Sequence, residues 1–171
     1  MRSESGFLCQ CCGDRHDELP LAFHAPAPAY WSPELDGRDD CALGGEQCVI
    51  GGEHYFIHGL IEVPILESTE SFAWGVWVSL SQESFELMGR RWEEPGREHD
   101  EPRFGWLSTE LTAYQPSTLN LKTRVHTRAI GVRPFIELEP TGHPLALEQG
   151  AGITRARAEE LAARMLHPAA D

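Results

Sequence analysis

The sequence lacks the long hydrophobic segments found in membrane and secreted proteins. No stretch of about 18 consecutive apolar residues occurs, so no transmembrane helix is predicted. The first residues lead into polar, cysteine-containing sequence without the apolar core of a signal peptide. With 171 residues, 41% of them hydrophobic, the chain is long enough to bury one ordinary core. These features predict a soluble cytoplasmic protein that does not contact the membrane.

Basic residues are scarce: 14 Lys and Arg stand against 27 Asp and Glu, for a formal net charge of -13. A chain this acidic is not expected to bind nucleic acid in general. The charge is uneven, because residues 1–101 hold 20 acidic and 6 basic residues, whereas residues 102–136 hold 1 and 5. The sequence therefore predicts an acidic surface within residues 14–101 and one basic region that contacts something different.

Familiar catalytic signatures are missing as well. The sequence contains no nucleophile elbow, phosphate-binding loop, HExxH motif or dinucleotide fingerprint. No catalytic residue is predicted, and the sequence alone does not decide whether the protein is an enzyme.

The five cysteines are an odd number, which argues against a complete disulfide framework. Three of them lie in the segment 7–13 (FLCQCCG), where Cys9, Cys12 and Gly13 form a Cys-x-x-Cys-Gly motif. Two thiolates at this spacing can hold one metal ion while the glycine adopts the tight backbone conformation of a zinc knuckle. The motif predicts a structural zinc site.

Tetrahedral zinc needs two more ligands, and we assign them to His16 and Cys48. His16 is local to the motif, whereas Cys48 would attach the N-terminal arm to the sheet. Cys41, His24 and His54 are further candidates. Free cytosolic thiols are an alternative. Thioredoxin-like redox chemistry is a weaker one, because the two cysteines do not follow a strand and open a helix.

Alternating apolar and polar residues predict a sheet. We expect a hairpin of residues 48–50 and 54–65 with an irregularity near Gly59, followed by a buried central strand over 72–81. Ser81 is placed to cap a helix over 82–92, and residues 93–102 are expected to form a solvated loop.

Two further strands and one helix are predicted in the last third of the chain. Residues 118–128 (TLNLKTRVHTR) alternate with period two, and residues 133–139 form the next strand. Apolar residues at helical spacing predict a C-terminal helix that begins after Thr154 and stops at His167-Pro168.

These elements predict an α+β fold with a mostly antiparallel sheet, a helix after the central strand, a C-terminal helix and an N-terminal zinc-knuckle-like arm. We expect one domain over residues 1–171, with the cysteine arm at 7–24 and the α+β core at 47–167.

The strand 118–128 places a row of basic side chains on one face, which suits an anionic ligand. The candidate ligand-binding residues are Lys122, Arg124, His126 and His143. The alternative is a structural ladder, in which Glu137 and Glu139 on the next strand neutralise the row. His143 also has a structural alternative, as a cap for backbone groups in a rigid turn.

The chain resembles a bacterial family, the domain-of-unknown-function family 2199. The resemblance rests on Cys9-x-x-Cys12-Gly-x-x-His16 and on blocks that follow it, among them WGVWVSLS at 74–81, TLNLKTRVH at 118–126 and IELEPTGHPLA at 136–146. It extends over about residues 7 to 167. It implies a single-domain bacterial protein and carries no established activity.

The sequence therefore favours a zinc-stapled acidic module that binds another protein. A specific form of this hypothesis is an immunity-type protein whose acidic surface covers a basic partner. The alternative is an enzyme or small-ligand binder that acts on an anionic substrate beside the basic strand, at residues 120–128.

Overall fold

The computed structural model describes residues 6–9 and 11–167, which contain ten β-strands and three α-helices. The strands are β1 (Phe7–Leu8), β2 (Arg15–His16), β3 (Ala22–His24), β4 (Ala42–Leu43), β5 (Gln47–Ile50), β6 (His54–Pro64), β7 (Ser71–Leu80), β8 (Arg103–Leu107), β9 (Lys122–His126) and β10 (Phe135–Leu138). The helices are α1 (Gln82–Arg90), α2 (Pro144–Ala151) and α3 (Arg155–Leu166). The protein is thus α+β, as predicted.

Five strands, β6 to β10, form a closed barrel. Consecutive strands pair antiparallel, and β10 returns to β6 in parallel orientation, with Phe135 opposite Leu60. Closure lets the first and last strands pair with each other instead of exposing both edges. Strands β5 and β4 extend the sheet beyond β6, and β3 adds in parallel to β7. The antiparallel character was predicted from the sequence, whereas the closure was not.

The main core lies against β6 and β7 because their alternation directs one apolar face of each strand inward. The residues of this face, at most 1% exposed, include Ile57, Ile61, Val63, Phe72, Trp74 and Val76. Helix α3 adds Leu161 and Ala162 to the same core. The alternating strands predicted over 54–65 and 72–81 are confirmed.

Strand β6 runs without a break through Gly59, so the predicted irregularity at this position is not an interruption. One edge of β6 pairs with β5 before Gly59 and with β10 after it. A Cβ at Gly59 would lie 2.5 Å from Cδ1 of Ile136, so the glycine is required by close packing.

Three segments differ from the predictions. The strand predicted at 118–128 is confined to β9, because Asn120 has φ +66° and reverses the chain before it. Helix α2 was not predicted. The segment predicted as a solvated loop, 93–102, contains a 3-10 turn whose Arg97 is buried.

Within the described residues, no helix has both the length and the apolar character needed to cross a membrane.

Candidate metal centre

The N-terminal arm folds as a two-stranded antiparallel hairpin, with the Cys-x-x-Cys-Gly motif in its turn. The backbone N–H of Cys9 donates to the carbonyl of Asp14, and that of Gly13 donates to the carbonyl of Cys9, both at 2.9 Å. Gly13 has φ +75°, in the left-handed region that favours glycine. The turn therefore holds the sulfurs of Cys9 and Cys12 close together, as the sequence predicts for a zinc knuckle.

Four side chains from opposite ends of the chain converge beside this turn. They are Cys9, Cys12, His16 and His167, and their possible ligand atoms all lie within 4.8 Å of one another. Cys12 Sγ lies 3.6 Å from His16 Nε2. In tetrahedral zinc sites, sulfur at about 2.3 Å and nitrogen at about 2.0 Å from the metal are about 3.5 Å apart. The Cys12–His16 distance therefore matches that of a tetrahedral site, and the cluster offers two sulfur and two nitrogen atoms within reach of one metal ion.

The protein fold positions both histidines. The ring of His16 stacks on the buried ring of Phe7, with the centroids 5.2 Å apart. His167 follows the last turn of α3, where its backbone N–H donates to the carbonyl of Ala163. The centroids of the two imidazole rings are 5.7 Å apart, and the ring planes are tilted by 39°. Packing of the arm and of the helix end thus brings together ligands that are distant in sequence.

The two thiols have different electrostatic environments. Hydrogen bonds from the backbone of Cys12 and Cys11 lower the pKa of Cys9 to about 7, although burial opposes the shift. The backbone of Asp14 lowers the pKa of Cys12, but burial and the neighbouring Cys9 raise it more, so the net pKa is raised. Two adjacent thiols cannot both become anions easily, whereas a bound cation would favour two thiolates.

The chemistry available to this cluster follows from its number of ligands. With four protein ligands, a tetrahedral metal has no open position for water or substrate. A metal ion held by all four side chains would join the hairpin that contains Cys9, Cys12 and His16 to the end of α3.

Cys48, which we predicted as a ligand, does not join this cluster. It lies on β5, is buried against Phe56 and Trp77 in a second, smaller core, and has its pKa raised to about 11 by burial. The alternation along β5 points its side chain into this core, which explains its low exposure. The sulfur of Cys41 accepts a hydrogen bond from the backbone N–H of Gly51.

The remaining histidine candidates also lie elsewhere. His54 is exposed and pairs with Glu53. His24 lies edge-to-face against His58, a buried residue that stacks on Trp77.

Sequence reasoning missed His167, which it interpreted only as the end of the C-terminal helix. Local spacing carries no signal for this residue, because it reaches the cysteines through tertiary packing. Cys11 of the arm also contacts α3, since its Sγ lies 3.7 Å from the carbonyl oxygen of Ala163.

The predicted ligand-binding residues on β9 have separate environments. Lys122 Nζ lies 6.0 Å from the ring centroid of Trp106. His126 Nε2 is 3.4 Å from Glu137 Oε1, as in the structural-ladder alternative. Arg124 is opposite Glu137 in the strand register, and within the described residues it forms no ion pair.

His143 caps helix α2 and does not accompany these residues. Its Nδ1 accepts a hydrogen bond from the backbone N–H of Leu145 at 3.1 Å. Its Nε2 lies 2.8 Å from the carbonyl oxygen of Pro116, so the ring is the neutral tautomer that donates from Nε2. Both ring nitrogens are occupied by backbone groups, which is the structural alternative stated for this residue.

Comparison with known proteins identifies one family. Neither the curated proteins nor the solved structures provide a match. The sequence profile described as "uncharacterized protein conserved in bacteria (DUF2199)" matches residues 8–153. The match includes Cys9, Cys12 and His16 and ends before His167. Because it extends over most of the chain, the protein belongs to the bacterial DUF2199 family.

Proposed function

We propose that Cys9, Cys12, His16 and His167 bind one Zn²⁺ ion and that this ion is structural. The observation that carries the proposal is the convergence of two sulfurs and two imidazoles within 4.8 Å. Thiolate and imidazole ligands in tetrahedral arrangement are typical of zinc. The ion would join the first strands to the end of the last helix and so hold both ends of the described chain against the barrel.

Metal analysis of protein purified without added metal tests this proposal. We expect about one equivalent of zinc in the wild-type protein and less than about a tenth in the Cys12→Ser variant. Cys11→Ser is the matched control, because Cys11 neighbours the site but is not one of the four ligands. Wild-type protein without zinc, or equal zinc in the two variants, would contradict the assignment.

We further propose that the stapled module acts in the cytoplasm by binding a basic protein, as an immunity-type protein would. The net charge of -13 and an exposed acidic segment, residues 34–40, support this function. In that segment Glu34, Asp36, Asp39 and Asp40 accompany a single base, Arg38, which is engaged by Asp40. Opposite charges across an interface accelerate association and select the partner.

Affinity capture from the source bacterium, at low and at high salt, tests this function. The variant Glu34→Gln/Asp36→Asn/Asp39→Asn should lose a basic, salt-eluted partner. The control Glu67→Gln/Glu70→Gln/Glu83→Gln changes the net charge equally at exposed residues elsewhere. Retention of the partner by the segment variant, or equal loss in both variants, would contradict binding through residues 34–40.

A further inference from the structure

Arg97 is a buried arginine in a segment expected to be solvated. It begins the 3-10 turn Arg97–His99 and is only 6% exposed. Its Nη1 donates to the carbonyl of Trp92 at 3.0 Å, and its Nη2 donates to those of Ala129 at 3.0 Å and Val132 at 3.4 Å. The guanidinium thus links the segment between α1 and β8 to the loop between β9 and β10.

These contacts leave the charge of Arg97 without a counterion. A guanidinium has five N–H donors. The three hydrogen bonds use carbonyls, and Nε, which is buried, has no acceptor among the described residues. Of the carboxylates in the described chain, none lies within ion-pair distance of Arg97. Asp100 and Glu94, its neighbours in sequence, both pair with Arg91. A buried charge without an anionic partner is costly, so its retention calls for an explanation.

Arg97 is one of the residues that line a cavity of about 510 Å³. Its lining combines charged and apolar side chains, among them Arg97, Arg133, Glu46, Met88, Trp92 and Val132. The volume lies within the range of small-molecule sites in proteins.

The charge balance of the cavity favours an anion. Glu46 already neutralises Arg133, with Oε1 2.9 Å from Nη2 and 3.1 Å from Nε. Arg97 is therefore the uncompensated charge among the lining residues. The face of Trp92 lies 5.5 Å from the guanidinium carbon and supplies only the partial negative charge of an aromatic ring.

We infer that the cavity beside Arg97 binds a small molecule consisting of an oxyanion, a carboxylate or a phosphate, on an apolar body. The oxyanion supplies the counterion that Arg97 lacks, through a charge-assisted interaction. The apolar body contacts Met88, Trp92 and Val132. The cavity is not lined by the candidate residues Lys122, Arg124, His126 or His143, and the site does not depend on the proposed zinc centre.

Calorimetric titration of the full chain with benzoate, phenyl phosphate and neutral benzamide tests the inference. At least one anion should bind with a Kd of about 1 mM or tighter, and benzamide should bind about tenfold more weakly or worse. Benzoate alone would identify a carboxylate, and phenyl phosphate alone a phosphate. Failure of both anions to bind at about 10 mM, or equal binding of benzamide, would overturn the inference.

Variants at Val132 locate the site without removing Arg97, whose loss would also disrupt the loops. Val132 is 44% exposed, and the hydrogen bond that it accepts from Arg97 is made by its backbone carbonyl. Val132→Glu places a competing carboxylate in the cavity and should weaken anion binding about tenfold or more. Val132→Gln is the matched neutral control, and Leu147→Glu adds the same charge at an exposed residue outside the cavity. Unchanged binding in Val132→Glu, or equal loss in Leu147→Glu, would refute this site.

Discussion

Replacing His167 by alanine should uncouple zinc binding from folding. The other three proposed ligands lie within residues 9–16, so they can approach one ion even in the unfolded chain. His167 reaches the ion only when α3 is packed against the arm. Zinc held by all four ligands therefore favours the folded state, whereas zinc held by the three local ligands favours neither state strongly.

The size of this effect follows from the chain between His16 and His167. Closing a loop of about 150 residues costs the unfolded chain about 5 kcal/mol of entropy, which is an upper limit for the staple. Preferential binding contributes about 3 to 4 kcal/mol when free zinc exceeds the Kd by about 100- to 1,000-fold. For a chain of this length, each kcal/mol shifts Tm by about 2 to 4 °C, so zinc should raise Tm by about 6 to 16 °C.

Thermal unfolding followed by circular dichroism, with zinc and with a chelator, measures this shift. The wild type should show the full zinc-dependent increase in Tm, and His167→Ala should lose most of it. In chelator the two proteins should unfold at similar temperatures, because the side chain of His167 is exposed. His99→Ala is the control, since His99 is an exposed histidine outside the cluster. An undiminished zinc-dependent shift in His167→Ala would refute the staple.

Three further predictions concern the fold. His143→Ala removes the cap of α2 and the contact with Pro116, and should lower the free energy of unfolding, measured with urea, by about 1 to 3 kcal/mol. An unchanged urea midpoint would show that the cap is dispensable. Gly59→Ala should lower the free energy of unfolding by about 1 to 3 kcal/mol, because the new methyl group would clash with Ile136. Gly89→Ala, in open space on α1, should stabilise by about 0.5 to 1 kcal/mol, and equal effects of the two substitutions would contradict the packing account. Burial lowers the pKa of His58 below its ordinary value of 6.5. The unfolded state therefore binds the proton more readily than the folded state. The contribution of His58 to the free energy of unfolding should be constant above about pH 6.5 and should fall as the pH drops through the folded-state pKa. Urea midpoints between about pH 7.5 and 5 should show a smaller fall in His58→Gln than in the wild type, and identical pH profiles would exclude His58 as the cause.

Elements with a regular pattern were predictable from the sequence, since local alternation and capping determine them. The apolar faces of β6 and β7, the N-cap Ser81 of α1 and the N-cap Thr154 of α3 all agree with the structure. Barrel closure was not predictable in this way, because the parallel pairing of β10 with β6 depends on contacts between distant segments.

The same difference between local pattern and distant contacts applies to the residues of the candidate metal centre. Cys9, Cys12 and His16 lie in one hairpin, and their spacing alone identified them. His167 depends on the docking of α3, and Cys48 was chosen for its expected proximity to the arm. The burial of Arg97 was also not predictable from the sequence, because its partners are backbone carbonyls of another loop, which leave no pattern in the sequence.

The position of His167 determines which chemistry the centre can support. Three ligands, Cys9, Cys12 and His16, lie inside the region that matches the family, whereas His167 lies beyond it. A zinc ion with three protein ligands keeps an open position for water or substrate, as in catalytic sites, and a fourth ligand closes that position. In the proposed zinc centre, docking of the C-terminal helix would therefore fill the open position and leave a structural site. For this chain, with His167 in place, the geometry favours the structural role.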